Sequence, residues 1–152
     1  MGQLDGKRII VTGSASGMGA ATVKAYAREG ARVVAMDIDD EHGEAGARAA
    51  GVSYRHCDVA SRDEVARAFD DAVSELGGLD VLAHPAGIER GAAAAEVGDD
   101  EWDAVFAVNV KGTVHTNQAA FGAMREGGGA IVNFGSRAGV EGSPGAGPYA
   151  AS

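Results

Sequence analysis

From Arg8 to Phe134 the chain repeats one pattern, a short β-branched run followed by a longer stretch whose apolar residues recur with helical period. Residues 8–11, 32–36, 52–56, 79–83 and 130–134 read as strands, and 17–29, 40–50 and 100–124 as helices between them. In a further helix Val65, Ala68, Phe69, Ala72, Val73 and Leu76 form one stripe, because residues three, four and seven apart share a helical face. Ser61 and Glu64 stand before it as a capping box, each side chain able to satisfy a backbone N–H that the first turn leaves free. A helix between consecutive strands is the crossover that parallel pairing requires. The alternation therefore restricts the chain to an α/β fold on a doubly wound parallel sheet. At 152 residues and 45% hydrophobic content this is one domain; the stretches 91–95 and 127–129 read as loop punctuation, and no internal repeat divides it.

Thirteen Lys and Arg against 22 Asp and Glu leave a formal net charge of −9, the opposite of the basic footprint that nucleic acid or an anionic membrane selects. Small molecules are the expected partners. Cys57 has no second cysteine to pair with, and His42, His56, His84 and His115 lie at no metal-ligand spacing from it or from each other, so no metal is expected. The first seven residues carry no apolar leader core, and no run approaches the ~18 apolar residues of a membrane span. A reducing cytoplasm is the expected location.

Between the first strand and first helix lies Thr12-Gly13-Ser14-Ala15-Ser16-Gly17-Met18-Gly19. A diphosphate needs bare backbone N–H groups and a helix N-terminus aimed at it, and glycine permits both the tight turn and the close approach. Asp37 ends the second strand, 24 residues after Gly13, near the offset at which a Rossmann carboxylate accepts hydrogen bonds from the adenosine ribose. Its other reading is a solvated leader of the acidic run Asp37, Asp39, Asp40, Glu41. No Gly-Lys-Ser/Thr follows the turn, which excludes a P-loop.

Three further segments carry recognisable chemistry. Asp58-Val59 follows the third strand; Val108-Asn109-Val110-Lys111-Gly112 lies in the long helix; and Ile131-Val132-Asn133-Phe134-Gly135-Ser136 is followed, 13 residues after Ser136, by Tyr149-Ala150-Ala151-Ser152. With Thr12, Gly13, Gly17 and Gly19 these resemble the short-chain dehydrogenase/reductase family over essentially the whole chain. The resemblance implies a Rossmann fold of strand order 3-2-1-4-5, with NAD held by Thr12, Gly13, Ser16, Gly17, Met18, Gly19 and Asp37. It further implies adenine contacts from Asp58 and Val59, and cofactor contacts from Ala86 and Gly87 after the fourth strand. The implied reaction is reversible hydride transfer between an alcohol and a ketone or aldehyde. In it Tyr149 is the acid/base, Ser136 positions the substrate oxygen, and Asn109 supports the proton relay. A homo-oligomer is the implied assembly.

Two departures qualify these expectations. His84-Pro85-Ala86-Gly87 stands where the family usually has Asn-Asn-Ala-Gly, replacing two amide side chains and removing one backbone donor. The family's Tyr-x-x-x-Lys is matched through Ser152, so its lysine is the next residue expected. A free phenol titrates at about 10 and needs a nearby cation to act near neutrality. The 152 residues alone, without that lysine or the family's later strands, are therefore expected to be catalytically silent and to self-associate. The alternative reading is a non-catalytic dinucleotide-binding fragment; a methyltransferase gives no reason for the Ser136–Tyr149 spacing. Neither the flexible run 139–148 nor Glu141, read as a solvated loop acid, names a substrate.

Overall fold

Strand β1 (Arg8–Thr12) sits at the centre of a five-stranded parallel sheet of order β3-β2-β1-β4-β5. The computed structural model describes residues 2–91 and 95–152, so the loop reading of 91–95 falls partly outside the described residues. After β1 come α1 (Gly17–Arg28), β2 (Arg32–Asp37), α2 (Asp40–Ala50), β3 (Ser53–His56), α3 (Arg62–Leu76) and β4 (Val81–His84). A helical run follows as α4 (Asp99–Phe106), a π-helical segment (Ala107–Gly112) and α5 (Thr113–Met124). Then come β5 (Ala130–Asn133) and two short helices, α6 (Ala138–Glu141) and α7 (Gly147–Ala151). The expected α/β class and strand order are those observed.

The two-residue period of the strands divides the core. Ile9, Val11, Val33 and Ala35 point to a layer shared with Val23 of α1 and Ala47 of α2. Ile10, Val34, Met36 and Leu82 point to the opposite layer, where the α3 stripe meets Ala120 and Met124 of α5. At one end Arg8 clamps Asp80 with Nε at 3.0 Å and Nη2 at 2.7 Å, which holds the Asp80 carboxyl down at about 2. At the other end β1 lies between β2 and β4, whose connections leave in opposite directions. Ligands of open parallel sheets bind outside the carboxyl ends at such a switch point.

Two expectations need correction. Only half of the capping box forms: Ser61 Oγ accepts from the Glu64 N–H at 3.4 Å, but the Glu64 carboxylate accepts from the Asp58 N–H at 3.1 Å instead of turning back to Ser61. The long helix expected over 100–124 starts one residue earlier and is interrupted by the π segment around Asn109. A π segment inserts one residue into the helical repeat, and it is common at functional sites.

Candidate active site

Two cavities open at the carboxyl end of the sheet and share Met18, Pro85, Ala86, Gly87 and Ile88 as a common wall. The larger, about 650 Å³, is floored by the glycine turn: Gly13, Ser16, Gly17, Met18 and Gly19 all reach it. Ser16 enters α1 in extended conformation, no side chain caps the helix, and its first turn carries no acid. The first-turn N–H groups thus face the cavity with the positive end of the helix dipole and no competing side-chain acceptor. Gly17 has φ +50° with nothing near its missing Cβ, whereas a Cβ on Gly19 would collide with the Gly13 carbonyl oxygen. One glycine leaves open space above the turn; the other allows the helix to close on it. An uncapped helix end, bare glycine backbone and a cavity of this size fit a dinucleotide diphosphate.

Asp37, Asp58, Val59, Ala86 and Gly87 line the same cavity. Asp37 already accepts two backbone N–H groups, from Ala15 at 2.8 Å and Asp39 at 3.0 Å. It therefore ties the glycine turn to the end of β2 as well as presenting charge to the cavity. Asp58 closes its own turn by accepting from the Ala60 N–H at 2.9 Å. Thr12 is the exception among the sequence-derived cofactor residues: it is fully buried beneath the turn, with its hydroxyl 2.7 Å from His84 Nδ1.

His84 occupies the position of an expected amide. Its ring is buried between β1 and α5, and Nδ1 lies 2.7 Å from Thr12 Oγ1 and 3.2 Å from Thr116 Oγ1. Thr116 Oγ1 also lies 3.0 Å from the Gly112 carbonyl and 3.2 Å from the Thr113 carbonyl, either of which its hydroxyl can donate to. Burial pushes the imidazole down to about 4, which keeps it neutral at physiological pH.

The smaller cavity, about 460 Å³, contains the three expected catalytic residues, Asn109, Ser136 and Tyr149. They arrive from three elements. The π segment carries Asn109, whose Oδ1 accepts from the Ile88 N–H at 2.9 Å while Nδ2 donates to the Ile88 carbonyl at 3.0 Å and to Ser152 Oγ at 2.9 Å. Ser136 follows β5 and its Oγ accepts from the Ala138 N–H at 3.2 Å, leaving its proton for another acceptor. Tyr149 sits on α7, where Pro148 occupies the first turn, a position that tolerates the missing N–H and pre-sets φ. Glu141 stays off the cavity and pairs with Arg137 Nε at 3.2 Å.

Sequence reasoning did not single out Ile88, Glu89, Thr113 and Val140 on the smaller cavity, or Arg90, Ala104 and Ala107 on the larger one, which Val108 of the helix segment around Asn109 also lines. The i, i+3, i+4 spacing of Ala104, Ala107 and Val108 is the one available signal, since it puts them on a single helical face. The loop residues carry no comparable pattern.

Residues 7–152 match the sequence profile of a family described as short chain dehydrogenase. A D-threitol dehydrogenase of Mycolicibacterium smegmatis is 44% identical over 142 residues, covering 90% of this chain and 55% of its own. The 3-oxoacyl-[acyl-carrier-protein] reductase FabG of Thermotoga maritima is 38% identical over 99% of this chain and 63% of its own. A crystal structure of a short chain dehydrogenase from Mycobacterium smegmatis superposes with a TM-score of 0.95 at 31% identity, over 99% of this chain and 67% of that one. The chain thus spans between 55% and 63% of the length of these two curated relatives.

Proposed function

The chain belongs to the short-chain dehydrogenase family, and from that premise we propose that it forms the cofactor site and the tyrosine-bearing wall of an NAD-dependent alcohol dehydrogenase or carbonyl reductase. One observation carries the reading: Asn109, Ser136 and Tyr149 meet in a cavity whose wall is shared with the glycine-turn cavity. A substrate in one is then adjacent to a cofactor in the other.

Gly13, Ser16, Gly17, Met18 and Gly19 would hold the diphosphate, Asp37 the adenosine ribose, Asp58 and Val59 the adenine, and Ala86 and Gly87 the passage toward the second cavity. Nicotinamide cofactors serve this family, and when bound the nicotinamide ring supplies hydride acceptance and return. This chain's residues manage the proton and the geometry. Ser136 donates a hydrogen bond to the substrate oxygen, and Tyr149 removes the alcohol proton or returns it to the carbonyl product. Asn109 grips both backbone groups of Ile88 and so fixes the loop between the cavities. To act as a base near neutrality the Tyr149 phenol needs a nearby cation. A cytoplasmic, homo-oligomeric enzyme acting on small molecules completes the proposal.

In protein expressed from the full reading frame, Tyr149→Phe is expected to lower turnover by about 10² or more while leaving the NAD dissociation constant nearly unchanged. Near-normal turnover would move the acid/base to another residue. NAD binding without turnover in the unmutated protein would favour the non-catalytic dinucleotide-binding reading.

A further inference from the structure

We propose that Glu89 is a specificity-determining residue that adapts the catalytic cavity to neutral polyhydroxy compounds, with a hydroxyl beside the reacting carbinol donating to its carboxylate. The inference rests on the oxidoreductase reading above and names its substrate class. Relatives named for D-threitol and for a 3-oxoacyl-[acyl-carrier-protein] differ so widely that family membership does not choose one.

The composition of the cavity does choose. Glu89 is the one carboxylate lining it among the described residues. The remaining titratable groups there are the neutral imidazole of His84 and the Tyr149 phenol. Glu89 is exposed, and among the described residues no ion pair or hydrogen bond occupies its side chain. A carboxylate is an acceptor only, with about four lone-pair sites. A ligand satisfies it by bringing donors. Meanwhile Ile88, Phe134 and Val140 offer apolar surface to a carbon skeleton, and about 460 Å³ suits a small ligand.

A neutral diol meets all three demands: one hydroxyl toward Tyr149 and Ser136, the next toward Glu89, carbon against the apolar wall. An anionic hydroxy acid brings a second negative charge beside the Glu89 carboxylate. A monohydric alcohol offers Glu89 no such donor, a difference that a site built to hydrogen-bond a second hydroxyl discriminates. Glu89 takes no part in the redox balance. Tyr149 accepts the hydroxyl proton, the carbinol hydrogen leaves with its electron pair to the nicotinamide cofactor, and the carbonyl forms at that carbon.

Four-carbon probes isolate the effect in protein expressed from the full reading frame: 2-butanol, 2,3-butanediol, 3-hydroxybutanoate and 3-amino-2-butanol, compared by kcat/KM with NAD. The diol is expected to exceed 2-butanol by about 10- to 100-fold, the range of a hydrogen bond to a charged group. Glu89→Ala should collapse that ratio toward one. Glu89→Gln, which keeps an acceptor oxygen without the charge, should raise 3-hydroxybutanoate by about tenfold or more while retaining part of the diol preference. Unchanged NAD dissociation constants check that both variants are folded. Equal use of diol and 2-butanol, or a ratio untouched by Glu89→Ala, would overturn the role of Glu89 and leave the oxidoreductase reading standing. Preference for the amino alcohol would reassign the carboxylate to a cationic substrate and likewise overturn it. Oxidation of none of the four would count against the reading itself and remove the proposal with it.

Discussion

Asp37 and Asp58 place two carboxylates on the larger cavity, and Arg90 is the one cation lining it among the described residues. A 2′-phosphate beside Asp37 adds charge to charge, so NAD is expected to bind better than NADP. Asp37→Asn keeps an acceptor for the Ala15 N–H and removes the charge; it should narrow the NAD preference by about tenfold or more, equivalent to roughly 1.4 kcal/mol. An unchanged ratio of dissociation constants would exonerate Asp37. His84 makes a separate prediction. Its folded value, about 4, lies below the about 6.5 of an exposed imidazole, so the unfolded chain binds a proton that the folded chain refuses. The stability that His84 contributes is complete above about 6.5 and is lost as pH falls toward 4, by about 3 kcal/mol at most. Denaturation midpoints followed from pH 7 to pH 4 should fall steeply in the parent and more gently in His84→Asn; parallel curves would contradict this. The glycine turn and the Ser136–Tyr149 interval were legible because each is encoded locally or by a fixed spacing. The burial of His84 was not, because it depends on Thr12 and on Thr116, which stand 72 and 32 residues away in sequence.

At the level of elements, strand and helix identities followed from periodicity, while their ends did not. Strand β4 was expected from residue 79 and begins at Val81, although the Asp80 backbone already donates to the Arg8 carbonyl and accepts from the Ala130 N–H, both at 2.9 Å. The π segment escaped the sequence as well. An apolar stripe reports the average 3.6-residue period, and one inserted residue over Ala107–Gly112 leaves that average nearly intact. What the widened turn achieves is visible in its bonds: Asn109 reaches both backbone groups of Ile88, and Thr113 Oγ1 donates to the Asn109 carbonyl at 2.6 Å. The loop between the cavities is thus fastened to the helix through one side chain. Asn109→Ala should release it, so the Ile88 amide should exchange with solvent at least about tenfold faster, the loss of roughly 1.4 kcal/mol of protection. Amides within β1 serve as the internal standard. Equal protection of Ile88 in parent and variant would mean that the loop is held by something else.

For the whole molecule the decisive feature is the outer edge of the sheet. Among the described residues strand β5 pairs with β4 alone, and Ile131, Val132 and Phe134 are 36%, 42% and 39% exposed, with Phe121 of α5 at 66%. An edge strand that is both apolar and unpaired on one side offers N–H and C=O groups to any similar edge, and adjoining exposed side chains add a hydrophobic patch. Opposing this is the net charge of −9, which keeps copies apart at low ionic strength. Salt reduces the Debye length from about 30 Å at 0.01 M to about 8 Å at 0.15 M, leaving the short-range edge attraction in command. These 152 residues by themselves are therefore expected to self-associate in sedimentation velocity at micromolar to millimolar concentrations, more strongly at 0.15 M than at 0.01 M salt. Val132→Lys, which puts a charge on the edge where natural sheets use one against pairing, should shift the distribution toward monomer without altering the far-ultraviolet circular dichroism. A monomer that persists across concentration and salt would show that the exposed edge is not adhesive, and an association unchanged by Val132→Lys would direct attention to another face.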